Sequence, residues 1–176
     1  MNKTSLPKYF WQIIYSHTIA YFIAGILAFF VMNYREAFAS SPIMRSVDAP
    51  IVALGPFLQI FRGIIIALIL LPLRKAFFEE KHGLLKLGLV VAGFSLISTI
   101  GPPPCSFEGF IYTKIPFAMH MYGYPEAILY LALFIGLLSI SKKYGDKMPV
   151  NILSIILVLL ISVISITGFI MAGGRP

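Results

Sequence analysis

Arg62 is the only charged residue in an apolar run of 23 residues, 51–73, and stands twelfth in it. About 20 helical residues cross a hydrocarbon core of about 30 Å, so this position falls close to the bilayer midplane. An arginine there costs about 2.5–3.5 kcal/mol on insertion scales. Its neighbours Ile64, Ile65, Ile66, Leu68 and Ile69 offset that cost but cannot satisfy its five donors. Either interface is about 16 Å away at 1.5 Å per residue, too far for easy snorkelling. Gln59 lies three residues earlier on the same helical face. Pro56 and Gly63 flank that face, and Pro56 is placed to bend the helix and free carbonyls. Two chemistries fit: a buried site for an anion or polar headgroup, or an internal ion pair that locks a helix bundle.

The stretch 101–125 offers partners. Its 25 residues hold six aromatics, and apart from tyrosine and cysteine its titratable groups are Glu108, Lys114 and His120. That is too apolar for a solvated loop and too polar for a crossing. The apolar segments on either side have 17 and 14 residues. At 1.5 Å per residue the second covers only about 21 Å, which predicts a loop dipping into a recess at the outer face, shielded by protein or water. Glu108, beside Gly109, is the expected principal partner of Arg62, because glycine permits close backbone approach. Glu126 begins a helix, where the dipole already favours its charge. If 107–115 is helical, Glu108 and Tyr112 share a face. Pro116 ends that piece and His120 follows.

The expected ligand-binding pocket is therefore Gln59, Arg62, Glu108, Tyr112, His120 and Glu126, open toward the outer leaflet. A guanidinium in low dielectric would hold an anionic or amphiphilic ligand such as a lipid headgroup. In a catalytic version Glu108 or His120 would be the general acid or base, and Tyr112 an oxyanion donor. The plainer alternative for the loop is an amphipathic cap whose aromatics form an interfacial belt.

His17 sits between Ser16 and Thr18, about 10 Å into the bilayer from residue 10, with Tyr15 and Tyr21 nearby. Its possible chemistries are proton relay and metal or haem ligation. No ligand spacing supports a metal or haem, so hydrogen bonding to a neighbouring helix is the expected role. No metal site is expected, and the sequence names no cofactor. Cys105 is the single cysteine, which excludes an intramolecular disulfide and a Cys-based metal motif. Glu79 and Glu80 read as a solvated turn. No Gly-rich phosphate loop and no Ser-His-Asp arrangement is present.

The elements that must position these residues follow from composition. Of the 176 residues 59% are apolar and 12% charged, against about 45–50% and about 25% in soluble domains. The mean hydropathy is +0.89. One polytopic membrane domain fits these values; a soluble globular domain, a disordered tail and a disulfide-built module do not. Five apolar segments stand out, at about 10–32, 51–73, 84–100, 127–140 (opened by Pro125 and Glu126) and 152–171. The predicted fold is all-α: a bundle of five transmembrane helices with a re-entrant or interfacial third loop, as one domain over 1–176. Pro50, Pro125 and Pro149 stand where helices begin, and the prolines at 102–104 end the third. The small residues Gly88 and Ala92, and Gly25 with Ala24 and Ala28, permit close helix approach, within the bundle or in a dimer.

Nine Lys and Arg fall on the side of the N-terminus and four on the other, with Arg62 in neither group. The rich side is expected to be cytoplasmic, which puts the N-terminus inside and the C-terminus outside a plasma membrane of prokaryotic type. The first apolar run is longer than a signal-peptide core. The net charge of +7 lies between hydrophobic segments rather than along a polar stripe, so no nucleic-acid partner is expected. The expected partners are the lipid bilayer and, through small-residue patches, a homo-oligomer or larger membrane complex. Besides ligand binding or transport, a non-catalytic subunit or assembly factor and a membrane enzyme acting on a lipid-like substrate remain as readings.

Overall fold

The computed structural model describes residues 5–39, 44–97, 111, 113–145 and 147–173. The helices are α1 (Leu6–Val31), α2 (Tyr34–Ala39), α3 (Pro50–Leu70), α4 (Gly83–Ala92), α5 (Phe117–Tyr122), α6 (Tyr124–Tyr144) and α7 (Met148–Gly173). Among the described residues there is no strand. α3 runs on through a 3-10 turn, Leu71–Leu73, and a π-turn, Lys75–Glu79, while α4 ends in a π-turn, Gly93–Ile97.

Four helical stretches are long and apolar enough to cross a membrane: Leu6–Val31, Pro50–Leu73, His120–Tyr144 and Met148–Gly173, each 24–26 residues. At 1.5 Å per residue the shortest covers about 36 Å. The protein is an all-helical membrane bundle. The segment expected at 84–100 is a shorter apolar helix, Gly83–Ser95; its continuation past residue 97 lies outside the described residues. Hydropathy closes the next segment at residue 140, yet α6 has 21 residues and continues through Ser141, Lys142, Lys143 and Tyr144. Lysine is a good helix former, and its long stem lets the ammonium reach water while the backbone stays helical. The argument for a sunken third loop from a short fourth helix therefore falls, and the loop's own residues 101–110 and 112 lie outside the described residues.

Prolines 50, 125 and 149 do sit in the first turns of α3, α6 and α7, where the missing N–H costs nothing. Asp48, two residues before α3, pairs with Arg35 at 3.1 Å, and α3 has no side-chain cap bond.

α1 is the central helix. Half of its apolar span is buried inside the protein, against 22% or less for the other three. α3 and α6 pack on α1 from two sides, α7 packs on α3 and on the start of α1, and α4 packs on α6. Lipid tails are as apolar as leucine, so association rests on close packing and interhelical hydrogen bonds rather than on hydrophobic burial. Both are present. A Cβ on Gly63 would stand 2.9 Å from the Ile14 Cα, and one on Gly88 3.4 Å from Ile135. The Tyr9 hydroxyl donates to the Ala67 carbonyl at 3.0 Å and the Trp11 indole to Ser154 Oγ at 3.0 Å. The Ser165 hydroxyl enters α3 at Pro56, donating to the Ala53 carbonyl at 2.6 Å and accepting from the Phe57 N–H at 3.2 Å. A side chain inserted in the i→i−4 ladder is a recognised way to relax a proline-containing turn.

Three contacts set the register of α1 against α3: Tyr9 with Ala67, Ile14 with Gly63, and His17 with Gln59. The two helices are antiparallel. At one end of the bundle Arg74 lies 5.2 Å over the Tyr9 ring, Lys142 donates to the Glu80 carbonyl at 3.2 Å, and Lys86 pairs with Glu80. This basic end also holds the charged turn expected at Glu79 and Glu80. The Tyr34–Glu126 contact marks the opposite end.

Candidate functional site: a hydrogen-bonded layer and a polar groove on α1

His17 is 1% exposed and ties three helices together. Its Nε2 lies 3.1 Å from Gln59 Oε1 on α3, and its Nδ1 lies 2.7 Å from the Tyr130 hydroxyl on α6. The Gln59 amide nitrogen donates to the Gly55 carbonyl at 3.1 Å, so the amide oxygen is the atom left for the imidazole. Nε2 must then carry the proton, and Nδ1 accepts from Tyr130. Ring packing holds the same arrangement: His17 meets Tyr130 and Phe134 edge-on at 5.6 and 6.2 Å, and those two rings stack at 5.8 Å. The expected role of His17, hydrogen bonding to neighbouring helices, is what the structure has. Among the described residues no group of three His, Cys, Asp or Glu side chains could hold a metal ion.

Outward from this layer, α3 and α6 both rest on α1 but make little contact with each other. Between them lies a half-buried strip of α1, Tyr21 and Gly25, the candidate groove. Arg62 forms one wall. It lies on the flank of the buried face of α3 formed by Gln59, Gly63, Ala67 and Leu70, and its side chain is exposed. Its Cα stands near the level of Ile14, next to the Gly63 contact. Helical side chains lean toward their own N-terminus, and in antiparallel α3 that direction is outward. The guanidinium is accordingly within electrostatic reach of His17, Tyr21 and Tyr130. The expectation that Arg62 would be enclosed is not met among the described residues: it faces the groove rather than the interior. Among the described residues the ion pairs are Arg35–Asp48 and Lys86–Glu80, and neither involves it.

Glu126 forms the other wall. It precedes Tyr130 by one helical turn on α6, and its Oε1 is 3.9 Å from where a Gly25 Cβ would stand. A larger residue at 25 would close the groove floor at this point. Its Oε2 accepts a hydrogen bond from Tyr34 of α2. Partial burial, the bond to Glu126 and that carboxylate's charge push the Tyr34 hydroxyl well above the usual phenol range. Tyr34 also stacks on Phe38 at 4.9 Å and leans on Tyr122 at 6.1 Å.

Of the six expected pocket residues, the structure brings Gln59, Arg62 and Glu126 to the same side of α1. His120 is buried on α5, with Nε2 3.4 Å from the Thr113 hydroxyl. Glu108 and Tyr112 lie outside the described residues. Two tyrosines escaped the sequence reading, Tyr34 and Tyr130, and Tyr21 entered it only as a neighbour of His17. A signal for Tyr21 and Tyr130 existed. Tyr21 follows His17 by four residues, and Tyr130 follows Glu126 by four, which places each pair on one helical face. Comparison with protein-family models, curated proteins and solved structures finds no match for this chain.

Proposed function

We propose that this membrane protein binds or transports an anionic or amphiphilic ligand, of the phospholipid class, in the groove between α3 and α6. One observation carries the reading. Arg62 is exposed on the flank of α3 in an apolar bundle, within electrostatic reach of the phenols of Tyr21 and Tyr130. A desolvated cation requires an anion or water. A phosphate supplies acceptors for its paired donors, and the groove's lateral opening gives an acyl chain somewhere to lie. Gln59 and His17 form the rigid base beneath the site rather than contacts to the ligand.

Five crossings belong to the same proposal, with the apolar segment that begins at Gly83 as the fifth. So do a re-entrant third loop, a cytoplasmic N-terminus and an external C-terminus. The gathering of Lys86, Lys142 and Arg74 at one end supports that orientation.

The test is lipid retention by the full chain purified in mild detergent, read by native mass spectrometry. Wild type and Arg62→Lys should retain phospholipid. Arg62→Gln should lose at least about tenfold of it, the worth of one charge-assisted contact, while keeping its helical circular dichroism and elution volume. Loss of folding in Arg62→Gln would make the residue structural; unchanged retention would remove the site.

A further inference from the structure

The groove holds two opposite charges that do not meet. Glu126 is within reach of Tyr21 from one side and Arg62 from the other, yet no ion pair joins them at 4.0 Å or less. Their levels on α1 explain why. Tyr130 is level with His17, and Glu126 lies one turn farther out, against Gly25. Arg62 starts near Ile14 and leans outward only as far as its chain allows. The carboxylate cannot swing inward to meet it, because Tyr34 holds Oε2 from above. Oε1 is left facing the groove, and no described residue donates to it. From the level of Ile14 to that of Gly25 is eleven residues, about 16 Å at 1.5 Å per residue, of which an arginine side chain leaning outward covers about 6–7 Å, leaving about 10 Å between the two groups.

We propose that the occupant of this groove is a zwitterionic amphiphile with a phosphate joined to a primary ammonium through a short linker, a phosphoethanolamine lipid. The phosphate sits on Arg62 and the ammonium on Glu126 Oε1. This rests on the anion-binding reading of Arg62 given above. A phosphate on the guanidinium and an ammonium on Oε1, joined by two carbons, bridge about 10 Å once the contact distance at each end is included. A primary ammonium has N–H donors for a carboxylate oxygen, whereas a quaternary ammonium has none. Tyr21 lies within electrostatic reach of both charges. Held apart in a medium of low dielectric, both charges are desolvated, and one ligand that neutralises both is favoured over two ions. An anionic lipid without an amine would leave Glu126 unanswered.

The experiment is competition for the full chain in mixed micelles, read by native mass spectrometry, among phosphatidylethanolamine, phosphatidylcholine and phosphatidylglycerol of equal acyl length. The expected result is a preference for phosphatidylethanolamine of about tenfold over each competitor, one charge-assisted contact's worth. Glu126→Gln keeps an acceptor for Tyr34 but loses the charge; it should abolish the preference while still retaining phosphatidylglycerol. Tyr34→Phe releases Oε2 and lets the carboxylate turn toward Arg62, so it should weaken the preference as well, while unchanged helical circular dichroism and elution volume in Glu126→Gln separate charge from folding. Equal retention of the three lipids by wild type, or a preference unmoved by Glu126→Gln, overturns the zwitterion and leaves the anion site standing. Retention that does not depend on Arg62 overturns both. Water-soluble phosphoethanolamine should compete only weakly; displacement of the lipid at equal concentration would overturn the lipid as the ligand's source.

Discussion

His17→Leu removes the centre of the layer beneath the groove, and the structure sets the size of the effect. Leucine keeps an apolar side chain against Phe134 and Tyr130, so the loss is chiefly the two hydrogen bonds, at 2.7 Å to Tyr130 and 3.1 Å to Gln59. They are not equal. Tyr130 is half-buried at the edge of the groove, and its hydroxyl can turn to water there. Its bond counts at the membrane-protein average, about 0.6 kcal/mol. Gln59 is 8% exposed. Its nitrogen keeps the Gly55 carbonyl, but its oxygen is left dry and unpaired, which costs about 1–2 kcal/mol. The expected loss is about 2 kcal/mol in total. Gln59→Leu in the same background removes the stranded oxygen, so the double variant should be more stable than the sum of the single losses implies, by about 1 kcal/mol. Reversible unfolding of the full chain in mixed micelles, titrated with a denaturing detergent, gives these values. Trp11 is the chain's one tryptophan and bonds to Ser154 across to α7, so its fluorescence reports helix separation. A loss below about 0.5 kcal/mol, or strict additivity with Gln59→Leu, would show that the layer carries no coupled hydrogen bonding.

Gly63→Ala and Gly55→Ala make a matched pair on α3. The first places a Cβ 2.9 Å from the Ile14 Cα and should cost about 1–3 kcal/mol in the same unfolding titration, while the second meets nothing within 4 Å and should cost nothing. Tyr9→Phe removes the buried bond to the Ala67 carbonyl and should cost about 0.5–1.5 kcal/mol. Burial and the Glu126 carboxylate raise the Tyr34 phenol above its ordinary value of about 10, so its contribution to stability is full below about pH 10 and is lost as pH rises through the raised value. Tyr34→Phe should remove that alkaline component from a stability profile. Single cysteines introduced at Lys147 and Asn33, in a Cys105→Ser background, should react with an impermeant thiol reagent from opposite sides of the membrane; labelling from one side would overturn the proposed orientation.

What could be read from the sequence follows from the physics of each signal. Long apolar runs announce crossings because hydrocarbon admits little else, and α1, α3 and α7 begin within a few residues of their expected starts. The end of α6 was misplaced because hydropathy reports where charge begins, not where hydrogen bonding ends. Arg62 was conspicuous for the same reason that the runs were: a single charge against an apolar background. Its environment was not legible. Whether residue 62 faces the interior or a flank depends on which side of α3 meets α1, and that is decided by Gly63 fitting against Ile14. The tyrosines were missed because aromatic residues are common at membrane interfaces, and a phenol in a polar network has no composition of its own. His17 and Gln59 are 42 residues apart, and only the antiparallel register of α1 and α3 brings them together.

The order of layers along α1 bears on how such a small bundle would keep the proposed groove open. A groove between two helices that do not pack on each other should close, since a cation, a carboxylate and lipid all favour filling it. Here α3 and α6 are each fixed to α1 just below the opening, α3 through Gln59 and α6 through Tyr130, by the one imidazole they share. Gly63 and Gly88 let the helices approach closely where no groove exists, and Gly25 keeps the floor low where one does. Above the opening, Tyr34 holds Glu126 against the far wall. The polar residues thus fall into two sets. Those below the groove bond to one another and set the spacing of the helices, whereas Arg62 and Glu126 Oε1 are left without bonds to described residues. Filling the floor separates the two sets. Gly25→Leu should keep the His17 layer, and hence most of the unfolding free energy, because nothing below it is touched. It should reduce phospholipid retention at least about tenfold, measured on the same purified full chain. Retained lipid with an intact fold would show that the ligand does not lie between Arg62 and Glu126.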